Sequence, residues 1–223
     1  MTTITRDAPV TPVREHTPHV QPTVALKRRT VDSLLIGVGA VTAVVLLAAG
    51  GLLTWGANFS NDYVGDELTS QNIAFPPAAA LEEEGRTDLL PFAGQAVTSG
   101  PDAEAYASFI DGHLQDIAGG ATYADLGTPE RAAGAAVTEA KASGASEAEI
   151  ATLQAEADQV TAQRGSLFKG ETLRGLLLSA FAWSTVGRIA GIAAMVSFAA
   201  AAAMVLLVAL GARHHHRLVA SER

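Results

Sequence analysis

The stretch Ser184-Thr185-Val186-Gly187-Arg188-Ile189-Ala190-Gly191 interrupts the most apolar part of the chain, LLLSAFAWSTVGRIAGIAAMVSFAAAAAMVLLVALG, residues 176–211. Arg188 is the only formal charge in that run. A single span centred on the whole run would put Arg188 inside the hydrocarbon, at a cost of roughly 2.5–3.5 kcal/mol. Shifting the span to residues 189–211 removes the cost. Arg188 then marks the membrane edge, where its guanidinium reaches the headgroups. Residues 176–188 become an outer helical stalk and interface.

A second span lies upstream. Residues 31–55, VDSLLIGVGAVTAVVLLAAGGLLTW, are uncharged after Asp32. At about 1.5 Å per residue they cross a hydrocarbon core of about 30 Å. Trp55 ends this span and Trp183 precedes the other, so both tryptophans read as interface anchors at one face. About thirty residues precede the first apolar run, and the run exceeds the 7–15 residues of a signal peptide core. It reads as an uncleaved signal-anchor.

Charge sets the direction. Residues 1–30 hold five Lys/Arg against two acids, including Lys27, Arg28 and Arg29 beside the first span. Residues 212–223 hold three arginines against one glutamate, with Arg213 and Arg217 following the second span. Residues 57–185 hold six Lys/Arg against nineteen acids. Basic flanks stay inside, so both termini are expected in the cytoplasm and residues 56–188 outside the cell membrane. The chain has no cysteine, which excludes disulfides, thiolate metal sites and a cysteine nucleophile.

The tail at 1–30, rich in Thr and Pro, is expected to be disordered, and 212–223 to form a second basic cytoplasmic tail. His214, His215 and His216 are adjacent, so on a helix they point about 100° apart and cannot share one ion. The segment 56–175 reads as an acidic, all-α domain. Residues 58–71 show a helical period and continue the first span outward, until Pro76-Pro77 stops the chain. Residues 78–100, with Glu82-Glu83-Glu84 and several glycines, read as loop, the glutamates as a solvated acidic patch. Tyr106, Phe109, Ile110, Leu114 and Ile117 define an amphipathic helix from Pro101 to Ala118, closed by Gly119-Gly120. Thr128 as cap and Pro129 open the next helix. Ser146 and Glu149 form a capping box for a fourth, separated by Gly144. Glu171 and Arg174 are spaced to pair at i,i+3.

Three motifs taken together resemble a family of actinobacterial two-span integral membrane proteins without an established activity. They are TWGANFSNDYVGDELTSQNIAFPP (54–77), YASFIDGHLQDIAGGATYADL (106–126) and LFKGETLRGLLLSAFAWSTVG (167–187). The resemblance covers about residues 31–213 and implies the topology; it implies no catalytic residue.

No phosphate loop, nucleophile elbow or zinc-helix motif is present, so the chain is read as a non-enzyme without a cofactor. His113 and Asp116, at i,i+3, are weak metal candidates because a site needs three or four ligands. The plainer reading of His113 is a half-buried histidine where the domain meets the stalk. Gly39-x-x-x-Ala43 and Gly187-x-x-x-Gly191 are small-residue pairs that let helix backbones approach, either within the chain or between copies. Arg188 is also a candidate partner for Asp62 or Asp66. The acidic exterior argues against nucleic acid. The expected partners are the lipid bilayer and either a second copy or a larger membrane complex. The leading function is an accessory or scaffolding subunit of such a complex. The alternative is an extracytoplasmic sensor or ligand-binding module responding to pH or cations.

Overall fold

The computed structural model describes residues 28–221, and the architecture is all-helical. The expected tail at 1–27, with Lys27, and the last two residues lie outside the described residues. Five α-helices follow in order: α1 (Arg28–Ser70), α2 (Ala78–Glu83), α3 (Gly100–Ala118), α4 (Gly127–Ser143) and α5 (Glu147–Ser221). A 3-10 helix, Thr87–Phe92, stands between α2 and α3.

α1 and α5 are long, and both contain stretches apolar enough to cross a membrane. Their most apolar windows are only 11% and 17% buried, unlike the covered core helix of a globular protein. The two helices pack antiparallel. Ser60 donates its hydroxyl proton to the Trp183 carbonyl at 2.7 Å, and Ser197 donates to the Leu46 carbonyl at 2.8 Å. Ala43, Ala57, Ala194 and Ala201 are buried, so the contact is made of small side chains. Such residues suit a helix pair that gains from close packing rather than from water exclusion.

The core of the smaller part gathers around one end of this pair. Val64 and Leu68 of α1, Leu177 of α5 and Ala103 and Ala107 of α3 are all buried in it. Phe75, Leu81, Leu89 and Val97, from the segment between α1 and α3, complete it. Phe75 stacks on Phe92 at 5.1 Å and meets Tyr106 edge-on at 5.2 Å.

Several expected boundaries are corrected. Arg28–Thr30 already belong to α1 rather than to a disordered tail. Residues 78–100 are not simply loop, because α2 and the 3-10 helix form there. Each is only six residues long, too short to display a period, and each is held by one buried leucine, Leu81 or Leu89. α3 starts at Gly100, capped by Ser99 in a reciprocal capping box with Asp102. Thr128 is not the cap of α4. A preceding turn closes first, with the Thr122 backbone N–H and hydroxyl donating to Asp125 and the Asp125 N–H donating back to Thr122. The chain therefore enters α4 already helical at Leu126. These bonds to Thr122 hold the Asp125 carboxyl below its ordinary range. Ser146 does accept from the Glu149 N–H at 3.3 Å. From there one unbroken helix runs to Ser221, so the expected fourth helix, stalk, second span and C-terminal tail are stretches of one element. Its isolated glycines cost about 1 kcal/mol each, too little to break a helix braced by α1, α3 and α4.

Candidate functional site

The antiparallel contact sets the relative heights of the anchor residues. At Gly187 an added Cβ would stand 3.1 Å from Ser60 Cβ and 3.3 Å from the Ala57 carbonyl. Gly191 lies nearest Ala57, 3.8 Å from such a Cβ. At the other end Gly39 abuts Val208, 2.8 Å by the same measure, and Gly211 abuts Ile36 at 3.4 Å. Ala43 is 4% exposed. The small-residue pairs thus lie in the contact between α1 and α5 of one chain. Gly50 adds a further close approach, against the Phe198 ring.

By the register of the Ser60–Trp183 and Ser197–Leu46 bonds, Arg188 sits near the level of Trp55, and Arg213 near the level of Asp32. The uncharged stretches between those levels are about 36 Å long on both helices. Trp55 is exposed on α1; Trp183, opposite Ser60, is exposed on α5 about 7 Å further along the pair. Both tryptophans lie toward the same end. Arg188 is exposed, and none of the ion pairs among the described residues includes it. The expected pairing with Asp62 or Asp66 does not form, because Gly187 faces α1 and directs the next residue away from it.

His113 and Asp116 are both exposed, which corrects the half-buried reading of His113. They edge a dent of about 160 Å³ that also holds Glu84 and Arg86. A guanidinium in the same dent opposes a bound cation. No group of three metal-ligating side chains occurs among the described residues.

Arg86 is the residue that sequence reasoning missed. It donates to both carboxylate oxygens of Asp88, at 3.1 and 2.9 Å, and to the Ser108 carbonyl and hydroxyl, at 2.8 and 2.9 Å. It ties the α2–3-10 segment to α3. The bond to Asp88 raises the Arg86 pKa and lowers that of Asp88. Burial raises the Tyr106 hydroxyl. Arg164 performs a similar task on α5. It pairs with Glu130, donates to the Tyr123 carbonyl at 3.3 Å and lies 4.0 Å over the Tyr123 ring. Arg174 pairs with Glu171 as expected, at 3.1 Å, and also reaches Asp111 of α3 at 3.4 Å. The available signal was that these arginines are among only six basic residues in a strongly acidic segment.

A mainly apolar groove of about 470 Å³ lies between the ends of α1 and α5. Val64, Leu68, Leu177 and Ala180 floor it, and Glu67 is its only charged lining residue. Tyr63, Leu176 and Trp183 on its rim are 59%, 65% and 62% exposed. Tyr63 also ends a ladder of stacked rings, Trp55–Phe59–Tyr63, with centroids 5.7 and 6.0 Å apart. α3 leans on the other edge of α5, where its Gly100 meets Ser184 and Phe181. This arrangement can bind an apolar surface.

Neither a family model, nor a curated protein, nor a solved structure matches the chain.

Proposed function

We propose that the protein is an integral protein of the cell membrane and a non-enzymatic accessory or scaffolding subunit of a membrane complex. In this reading α1 and α5 form a transmembrane hairpin, both termini are cytoplasmic, and residues 56–188 stand outside. The level match of Arg188 and Trp55 at one end, and of Asp32 and Arg213 at the other, supports the two spans. The basic flanks support the direction. The three motifs resembling the actinobacterial two-span family support the same topology.

The observation that carries the subunit reading is the exposed groove rimmed by Tyr63, Leu176 and Trp183. Contiguous apolar surface outside the bilayer marks an interaction site. The test is purification of the protein at native level from its own membranes in mild detergent, with mass spectrometry of everything that accompanies it. A reproducible stoichiometric partner is expected. Isolation of the chain alone, or only with copies of itself, overturns the reading.

A further inference from the structure

We infer that the groove between α1 and α5 receives an amphipathic helix of a partner membrane protein, one that carries lysine or arginine beside its apolar face. This rests on the accessory-subunit reading and names the partner's chemistry. The groove follows α5 from Leu173 to Trp183, about 15 Å, or nearly three helical turns. That length suits apolar anchors at i, i+3 or i+4, and i+7 on a docked helix. α3 already covers the neighbouring edge of α5, so an incoming helix would complete the packing around the pair.

Charge decides among the occupants. Glu67 lines the groove and no basic residue does. Arg174, on the same stretch of α5, is engaged by Asp111 and Glu171 instead. A second copy docking through the same groove would bring Glu67 against Glu67 across a two-fold axis, between segments with nineteen acids against six bases each. A bilayer lipid reaches only the lower rim at Trp183, because the upper end at Leu173 stands fifteen residues, about 22 Å, beyond Arg188 at the membrane edge. Residues 1–27 join α1 at its opposite end. A basic helix alone combines an apolar face for the floor with a complement for Glu67.

The test places a photo-crosslinking amino acid at Leu176, at Tyr63 and, as a control, at Ser143 on the end of α4. The full chain is expressed in its own membranes, and the crosslinked peptides are sequenced. Adducts from Leu176 and Tyr63 are expected to map to a helix with basic residues flanking its apolar positions, and Ser143 is expected to yield none of them. Glu67→Lys is expected to lower the Leu176 adduct at least about threefold, as for loss of an exposed ion pair. Glu67 is exposed, so the melting temperature of that variant should match the wild type. Adducts with lipid, with a second copy or with an acidic segment overturn the inference, as does an unchanged yield in Glu67→Lys. A stoichiometric partner that crosslinks only from Ser143 removes the groove assignment and leaves the accessory reading standing. No partner in either experiment removes both.

Discussion

Ser60 and Trp183 lock α1 to α5: the serine hydroxyl donates to the tryptophan carbonyl at 2.7 Å, 123 residues away in sequence. The Trp183 carbonyl is thereby drawn toward α1 while its indole is left on the groove rim. Ser60 is 8% exposed, so its hydroxyl has little access to water if the partner is lost. Ser60→Ala should cost about 0.5–1.5 kcal/mol, the net contribution of a typical intramolecular hydrogen bond. Thermal melting of the purified protein in mild detergent measures it. A loss within error of zero would show the bond to be replaceable.

Gly187 and Gly175 separate close approach from helix propensity. Gly187→Leu forces a side chain against Ser60 and the Ala57 carbonyl and should destabilise by about 1–3 kcal/mol. Nothing lies within 4 Å of an added Cβ at Gly175. Gly175→Ala should therefore stabilise by about 0.5–1 kcal/mol, since alanine is the better helix former. Opposite shifts in melting temperature are expected from the two variants under one set of conditions.

Arg86→Met should release the segment between α1 and α3. The side chain is 18% exposed and its bonds are charge-assisted, so a loss of about 1.5–3 kcal/mol is expected. Increased protease cleavage between residues 72 and 99, compared with wild type, is the check.

The same pair gives a pH dependence. Arg86 lowers the Asp88 pKa in the folded state. A lowered carboxyl pKa stabilises the fold above the unfolded pKa, and that contribution disappears as pH falls through the folded value. The difference in melting temperature between wild type and Asp88→Asn should therefore be constant near neutrality and shrink below about pH 4. A difference that does not change down to pH 3 would rule out the linkage.

The proposed orientation is checked with single cysteines, because the chain has none of its own. Ala142→Cys, exposed near the end of α4, should react with a membrane-impermeant maleimide on intact cells. His216→Cys, exposed beyond the second apolar run, should react only after permeabilisation. The reverse pattern would invert the topology.

Much of the helical architecture was legible because its causes are local. An uncharged run longer than twenty residues is a helix by hydropathy alone, and Pro76-Pro77 limits how far the first helix can continue. The apolar residues spaced along 106–117 define α3 within one short window, although its cap, Ser99 with Asp102, lies ahead of the expected start at Pro101. Gly119 and Gly144, with φ of 58° and 71°, close α3 and α4 where only a left-handed residue fits well. The small-residue pairs at Gly39 and Gly187 were visible too, though not what they pack against.

The tertiary structure decided what depends on residues distant in the chain. α2 and the 3-10 helix exist because Leu81 and Leu89 reach a core supplied by other elements, a fact that six-residue windows do not contain. Arg86 finds its acceptors in Asp88 and in Ser108 of α3, and Arg164 finds Glu130 and Tyr123, pairings that no spacing rule relates. That Arg188 has no ion pair among the described residues follows from the register of α1 against α5, since Gly187 occupies the face that touches Ala57. The groove has the same origin. Sequence determines that Tyr63, Leu176 and Trp183 are apolar, but only the antiparallel register brings the first beside the other two, with Glu67 at their edge.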